Sequence, residues 1–256
     1  DVRVALAFPD VYEVGMSHLG FPILYNILNG LDWVAAERVY APWADMAQLL
    51  RDDEQPLCSL ESNRPLADFD VIGFTLQYEL SYTNLLGMLQ LSGLPLRREQ
   101  RDESAPLVVV GGPCAYNPEP LADFFDVALI GDGEEAVVEL AEAVRLSKAQ
   151  GWSRRQLLEN LAGREGFYVP EFFAVSYQAD GCVEKITPLH KGYETVRRRF
   201  LADLETAPYP TKPIVPFMQT VHNRVAMEIA RGCTRGCRFC QAGYIYRPVR
   251  ERSPEK

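Results

Sequence analysis

Three features are missing from this 256-residue sequence, and each absence removes a class of protein. No window approaches the roughly 18 consecutive apolar residues of a membrane-spanning helix, and the first residues lack the pattern of a signal peptide. An excess of basic residues is also missing, since 26 Lys and Arg face 35 Asp and Glu, which gives a net charge of −9. This balance argues against a nucleic-acid-binding surface spread over the whole molecule. We therefore expect a globular protein of the cytoplasm.

A disulfide scaffold is also absent, because six cysteines in this length, three of them clustered, do not form one. The chain has six cysteines, and three of them lie close together near its end. The other three, Cys58, Cys114 and Cys182, stand alone, and free cysteine is among the most buried residue types. We expect each of these three to be a small buried hydrophobic residue. The 47% apolar content supplies the core of one large domain or two ordinary ones.

The three clustered cysteines dominate the interpretation of the chain. Residues 231–241 read Arg-Gly-Cys-Thr-Arg-Gly-Cys-Arg-Phe-Cys-Gln, so Cys233, Cys237 and Cys240 follow the spacing Cys-x3-Cys-x2-Cys. Thiolates are soft ligands that select zinc, copper(I) or iron–sulfur clusters, and a [4Fe–4S] cluster normally takes four of them. Three thiolates leave one iron open for chemistry. Gly232 and Gly236 suit such a loop, because glycine takes positive φ and allows a close approach to the cluster.

This segment resembles the motif of the radical S-adenosylmethionine (SAM) superfamily, including the aromatic Phe239 before the third cysteine. The resemblance implies that Cys233, Cys237 and Cys240 each bind one iron and that SAM chelates the fourth. An electron from a donor such as flavodoxin or ferredoxin would then cleave SAM to a 5′-deoxyadenosyl radical, with the cofactor supplying the difficult chemistry. The alternative is a structural zinc site with His222 as the fourth ligand, but its distance from Cys233 in the sequence fits no common zinc pattern.

Strands and helices alternate over the first 150 residues. We predict strands at 2–9, 37–40, 71–76, 107–110 and 127–130, and helices at 19–31, 43–51, 82–91 and directly after 134. This rhythm, with continuous rather than alternating apolar strands, predicts an α/β fold with a Rossmann-like, doubly wound parallel sheet. Ligands of such sheets bind outside the carboxyl ends of the strands.

Residues 1–148 resemble the cobalamin-binding-type domain that precedes the barrel in one branch of radical SAM proteins. The resemblance rests on a strand followed by Gly-Gly-Pro, then Pro118-Glu119, then a strand ending in Gly-Asp-Gly-Glu. It implies a cobalamin-type ligand edge at Thr75, Gly111 and Gly112. The chain departs from the Asp-x-His-x-x-Gly loop of related domains, because Asp10 and His18 are eight residues apart, which argues against cobalt ligation by His18. Tight strand-to-helix turns also explain the glycines without any ligand.

The remaining residues divide into two parts. Residues 149–215 are predicted to form a connector with a short helix capped by Ser153, a β-hairpin around 179–181 and a proline-rich stretch. The arginines at 197–199 are interpreted as local salt bridges or a solvated face, with RNA binding as the alternative. Residues 216–256 are predicted to start a (β/α) barrel, in which a strand at 225–230 delivers the cysteine loop and a helix starts at 242.

The chain as a whole is similar to an uncharacterised radical SAM family, including the stretch at 10–17. Only sixteen residues follow Cys240, whereas a strand with its crossover helix takes about 30. We therefore expect an N-terminal fragment that has no catalytic activity alone. The sequence does not identify the substrate. Two alternatives remain: a methylthiotransferase-like enzyme of RNA or protein with a second cluster on Cys58, Cys114 and Cys182, and a non-catalytic module with structural zinc.

Overall fold

The computed structural model describes residues 1–222 and 224–256 and contains one main sheet with helices on both faces. The strands are β1 Val2–Phe8, β2 Val34–Tyr40, β3 Val71–Thr75, β4 Leu107–Gly111, β5 Val127–Leu129, β6 Phe167–Tyr168, β7 Phe173–Tyr177, β8 Val183–Pro188, β9 Ala230–Arg231 and β10 Arg250–Glu251. The α-helices are α1 Tyr12–Gly15, α2 Gly20–Asn29, α3 Ala44–Asp52, α4 Tyr82–Leu91, α5 Glu134–Gln150, α6 Arg154–Ala162 and α7 Ala242–Ile245.

The main sheet has the order β2-β1-β3-β4-β5-β6. The first five strands are parallel, and β6 is antiparallel to β5 at the edge. The strand order reverses between β1 and β3, which is the position where doubly wound sheets of this order bind their ligands. The predicted doubly wound Rossmann-like fold is confirmed.

The side chains of β1 show why the sheet is covered on both sides. Val4 and Leu6 belong to a buried cluster with α2, α5 and α6. Ala5 and Ala7 lie in a second buried cluster with α4. Successive residues of a strand point to opposite faces, so a continuous apolar run serves two helical layers at once.

Local signals in the sequence explain several helix ends. Ser153 caps α6 as predicted: its hydroxyl accepts a hydrogen bond from the Gln156 backbone N–H at 3.3 Å, and the Gln156 side chain accepts one from the Ser153 N–H at 2.8 Å. Helix α5 ends at Gly151, which adopts a left-handed conformation with φ of 64°.

The residues predicted as a connector contribute to more than one unit. Helix α6 packs against α5, and β6 completes the main sheet. Strands β7 and β8 form the predicted hairpin, in a separate two-stranded sheet. Further along, Arg199 forms a parallel β-bridge with Gly131.

The predicted strand at 225–230 is wrong in its extent. Only Ala230 and Arg231 form a regular ladder, and their partners are the antiparallel residues Arg250 and Glu251. Residues 225–229 have the apolar sequence of a strand but pair with no strand of the described chain. Without a hydrogen-bonded partner strand they do not form a β-strand. The helix predicted from 242 is present as α7. None of the helices in the described ranges has the length and apolar character needed to span a membrane.

Candidate functional site

A cavity of about 340 Å³ lies at the carboxyl ends of the parallel strands. The loops after β1, β3, β4 and β5 all contribute to it, and its deep walls are apolar side chains of the sheet, α2 and α5. The three residues predicted for a ligand edge, Thr75, Gly111 and Gly112, all line it. The fold thus brings these residues together at the switch point, where the topology favours a ligand.

Two glycines of this edge are explained by backbone packing. Gly112 has φ of 92°, and a Cβ there would lie 2.7 Å from the Leu76 carbonyl oxygen. Gly131 has φ of 116°, and a Cβ there would overlap the carbonyl group of Arg199. Gly111 differs, because a Cβ there would make only ordinary contacts with Leu129. The chain itself therefore requires glycine at 112 and 131, whether or not a ligand binds.

His18 lines the same cavity, although sequence reasoning gave it no ligand role. Its ring lies 5.5 Å from the ring of Phe8, and its Nδ1 is buried without a hydrogen-bond partner among the described residues. Burial lowers the pKa of His18, and the neighbouring Gln77 side chain opposes this effect only in part. The Gln77 amide donates to the Thr75 hydroxyl at 2.7 Å. A neutral imidazole and a polar Thr75–Gln77 pair thus lie beside apolar walls.

Charged residues border the cavity on the side of the cysteine loop. Arg231 donates hydrogen bonds to Asp132 at 2.9 Å and to Glu134 at 2.6 Å, and all three residues line the cavity. Burial alone would lower the pKa of Arg231, but its bond to Glu134 and the surrounding carboxylates raise it. Burial likewise would raise the pKa of Asp132, but the Leu201 N–H, Arg250 and Arg231 outweigh that effect and lower it. Arg231 and Asp132 are therefore charged at neutral pH.

The three clustered cysteines lie on one loop next to this border. Cys233 and Cys240 are partly buried, Cys237 is exposed, and all three are free thiols. The Cys240 N–H donates to the Cys237 carbonyl at 3.2 Å, which places these two residues in one turn. Within 1–222 and 224–256, no three His, Cys, Asp or Glu side chains are close enough to hold a metal ion, so the thiols are not gathered into one ligand set.

The loop nevertheless fits an iron–sulfur cluster in its chemistry. Three free thiols without disulfide partners are the donor set that such clusters use. Gly232 has φ of 109°, and a Cβ there would lie 2.6 Å from the Tyr246 carbonyl oxygen. Gly236 has open space where a Cβ would be, so only the first glycine is required by the fold of the loop itself.

The residues of the two alternative metal sites, a second cluster and a structural zinc, are also not grouped in the described part of the chain. Cys58 follows α3 and its thiol contacts the Pro56 carbonyl, Cys114 is buried after β4, and Cys182 is exposed at the tip of the β7–β8 hairpin. The expectation of burial is confirmed for Cys114 and wrong for Cys182, because a hairpin turn has no core to pack against. These three cysteines are not grouped in the described part of the chain. His222, the candidate zinc ligand, is exposed, and its Nδ1 lies 3.2 Å from the Arg224 guanidinium.

Of the three connector arginines, only Arg199 forms salt bridges within the described residues, and its partners are distant in the sequence rather than local. Arg199 pairs with Glu135 and Glu139 on α5. Arg198 donates to the backbone carbonyls of Ile245 and Arg247. Arg197 is exposed. The arginine run thus attaches the connector to α5 and to the segment after the cysteine loop.

Sequence reasoning missed the role of Asp132, Glu134 and Arg231. The sequence indicates Gly-Asp-Gly-Glu only as part of the cobalamin-domain resemblance or as a tight turn, and it indicates no role for the arginine before Gly232. One signal was present in the sequence: Glu228 stands three residues before Arg231, and the two form a salt bridge of 2.8 Å. The partners at 132 and 134 are almost one hundred residues away, so only the tertiary fold reveals them.

Comparison with known proteins shows the family of this chain. The family model described as "Radical SAM proteins, N-terminal" matches residues 20–170, which is more than half of the chain and ends before the cysteine loop. An uncharacterized protein of Methanocaldococcus jannaschii, MJ0966, is 27% identical over 251 residues, which is 98% of this chain and 43% of that protein. The chain therefore spans less than half the length of this curated relative.

Among solved structures, the chain is similar to the radical S-adenosylmethionine methyltransferase TsrM from Kitasatospora setae, solved with tryptophan substrate and a SAM analogue bound. The TM-score is 0.49 and the identity 16%, over 99% of this chain and 43% of that one. The family match does not depend on this likeness. On the strength of the match to residues 20–170, the chain belongs to the radical SAM proteins, as their N-terminal region.

Proposed function

We propose that the whole protein is a radical SAM enzyme and that Cys233, Cys237 and Cys240 hold its [4Fe–4S] cluster. The observation that carries this proposal is the Cys-x3-Cys-x2-Cys loop of free thiols beside the carboxyl edge of the sheet of a radical SAM N-terminal region. The cluster, when bound with SAM at its open iron, supplies an electron for the reductive cleavage of SAM.

The residues of the chain would hold and shape this site. The thiolates of Cys233, Cys237 and Cys240 would each bind one iron, and the positive φ of Gly232 lets the loop turn immediately after Arg231. Phe239 is 93% exposed next to Cys240, so an aromatic face is available beside the third thiolate. Such a face suits a flat group such as the adenine of SAM. A flavodoxin or ferredoxin is the class of electron donor that we propose.

The test of this function is production of 5′-deoxyadenosine. The whole protein, reconstituted anaerobically with iron and sulfide, is incubated with SAM and dithionite, and the nucleoside is quantified. We expect 5′-deoxyadenosine in the complete mixture and none when the reductant is omitted. A reconstituted protein that holds a cluster but never cleaves SAM would contradict the proposal. A protein that takes up zinc and no iron would support the structural-zinc alternative.

We further propose that the cavity is a cofactor site and that cobalamin is the cofactor to test. Thr75, Gly111 and Gly112 line one cavity at the switch point, together with His18, whose Nδ1 has no hydrogen-bond partner among the described residues. Titration of the protein with hydroxocobalamin, followed by its absorbance spectrum, gives a direct answer. The isosteric change Thr75→Val should weaken binding, whereas Thr187→Val on the distant β8 should not. Absence of any spectral change or co-elution would exclude cobalamin and leave the radical chemistry standing.

A further inference from the structure

The carboxylate of Asp132 holds both ends of the cysteine loop. Its Oδ1 accepts a hydrogen bond from Arg231 at 2.9 Å, and its Oδ2 accepts one from Arg250. Arg231 and Arg250 are themselves opposite each other in the β9–β10 ladder. Residues 232–249, which contain all three clustered cysteines, are thus bracketed by two arginines that share one carboxylate from the N-terminal sheet.

Glu134 adds a second contact from the same turn. Its Oε1 accepts a hydrogen bond from the other terminal nitrogen of Arg231 at 2.6 Å. The planar guanidinium therefore spans two carboxylates, Asp132 in the loop after β5 and Glu134 at the start of α5, and this arrangement fixes its orientation as well as its position. Glu135, the next residue, points elsewhere: it is exposed and lies 3.4 Å from Arg199.

The ion cluster is balanced and buried. Glu228 accepts from Arg231 at 2.8 Å and from Arg252 at 2.9 Å, so three carboxylates meet three guanidiniums. None of the six side chains is more than 16% exposed. Removing one member of such a set leaves an uncompensated charge away from water, so the cluster is tolerant of neither loss nor rearrangement. These six side chains connect the turn after β5 to the segment that contains β9 and β10, and we call them the joint.

The joint is directly connected to the first cysteine. Only Gly232 separates Arg231 from Cys233, and this glycine is packed against the backbone of Tyr246 and Pro248 on the returning arm of the loop. The backbone therefore has little freedom between the joint and the thiol. A displacement of Arg231 must be transmitted to the position of Cys233.

We propose that Asp132 and Glu134 are positioning residues for the iron–sulfur loop. They act through Arg231 and Arg250 and set the placement of the thiolates relative to the cavity, whose border they also form. This inference rests on the proposed function. It gives the Gly-Asp-Gly-Glu turn of the N-terminal region a role in the chemistry of a site formed by residues that lie about 100 positions later.

The decisive comparison is Glu134→Gln against Glu135→Gln in the whole protein. Both changes remove one carboxylate from adjacent positions of α5, but only the first affects Arg231. We measure the EPR spectrum and midpoint potential of the reduced cluster, the affinity for SAM, and hydrogen exchange of residues 228–252. Glu134→Gln should change the spectrum, weaken SAM binding about 10- to 100-fold, as is typical for groups that orient metal ligands, and speed exchange in that segment. Glu135→Gln should match the wild type, and Glu134→Asp should recover part of the loss.

The outcomes separate this inference from the function on which it rests. If Glu134→Gln and Glu135→Gln give the same spectra, SAM affinities and exchange rates, the positioning role is refuted while the enzyme assignment survives. If the wild type takes up no cluster, the proposed function fails, and hydrogen exchange alone decides whether Glu134 docks the loop. Should Glu134→Gln not fold, Arg231→Lys replaces it, with Arg155→Lys on the surface of α6 as control. A normal cluster spectrum in Arg231→Lys would then overturn the inference.

Discussion

Gly131 and Arg199 form an isolated parallel β-bridge just beyond the end of β5, which attaches the connector to this edge of the main sheet. The Arg199 N–H donates to the Ile130 carbonyl at 2.8 Å, and the Arg199 carbonyl accepts from the Asp132 N–H at 3.0 Å. This bridge fixes the backbone immediately before Asp132. The connector is therefore part of the structure that presents Asp132 and Glu134 to the cysteine loop.

The first prediction concerns this bridge. Gly131→Ala should destabilise the protein by more than about 1 kcal/mol, because φ is 116° at residue 131 and the new Cβ would overlap the Arg199 carbonyl. Gly87→Ala, inside α4 with open space around it, should be neutral or stabilising by up to about 1 kcal/mol. Urea unfolding of the two variants measures the difference. Equal stabilities would mean that the connector does not depend on this contact.

A second prediction concerns the buried ion pair at the opposite edge of the sheet. Asp126 accepts from the Val108 N–H and from Arg154, both at 2.7 Å, and Arg101 lies 3.4 Å away. Asp126→Ala should cost about 3–5 kcal/mol, since it leaves buried guanidinium charge without a partner. Its control is Asp123→Ala, which breaks the exposed pair with Arg97 and should cost no more than about 1 kcal/mol. Thermal unfolding decides, and a similar small loss in both variants would contradict the prediction.

The third prediction is a pH dependence caused by Asp132. Hydrogen bonds and the two arginines hold its pKa below the usual 3.8, so its contribution to stability is complete at pH values above about 4. That contribution is lost as the pH falls through the lowered pKa of the folded state. The difference in unfolding free energy between wild type and Asp132→Asn should therefore be constant from pH 7 to 5 and shrink below pH 3.8. A difference that stays the same at low pH would show that charge on Asp132 is not what stabilises the joint.

The fourth prediction distinguishes the cysteine loop from the other cysteines. Cys237→Ala should abolish iron uptake on reconstitution, because two thiolates are too few to hold the cluster. Cys182→Ala removes an equally exposed thiol at a hairpin tip and should bind iron like the wild type. Iron and sulfide analysis of both purified variants measures this. Loss of iron in both would point to a different ligand set.

Local patterns in the sequence predicted most of the sheet and its helices. The apolar run of β1, the stripe of α5 and the capping residues of α6 all depend on neighbours a few positions away, and they formed as expected. The family-specific cysteine spacing is equally local. These features can be seen in a single sequence because their physical cause lies within one turn or one strand.

Contacts between distant segments could not be predicted in the same way. The pairing of β9 with β10 depends on the register of two segments on either side of the cysteine loop. The sequence alone does not reveal this partner, so the strand predicted at 225–230 was too long. The partnership of Asp132 with Arg231 and Arg250 requires the turn after β5 to meet a segment about 100 residues away. Each arginine of an acidic chain has many potential carboxylate partners, so composition alone does not identify Asp132 as the partner of Arg231 and Arg250.

EPR spectroscopy of the reduced, anaerobically reconstituted whole protein, recorded with and without SAM, is the decisive test of the proposed radical SAM chemistry. We expect a [4Fe–4S] signal that SAM changes, because an iron without a protein thiolate would be free to bind it, and no such signal in Cys237→Ala. A spectrum that is the same with and without SAM, or a protein that contains only zinc, would contradict the assignment of this chain to a radical SAM enzyme with an open cluster site.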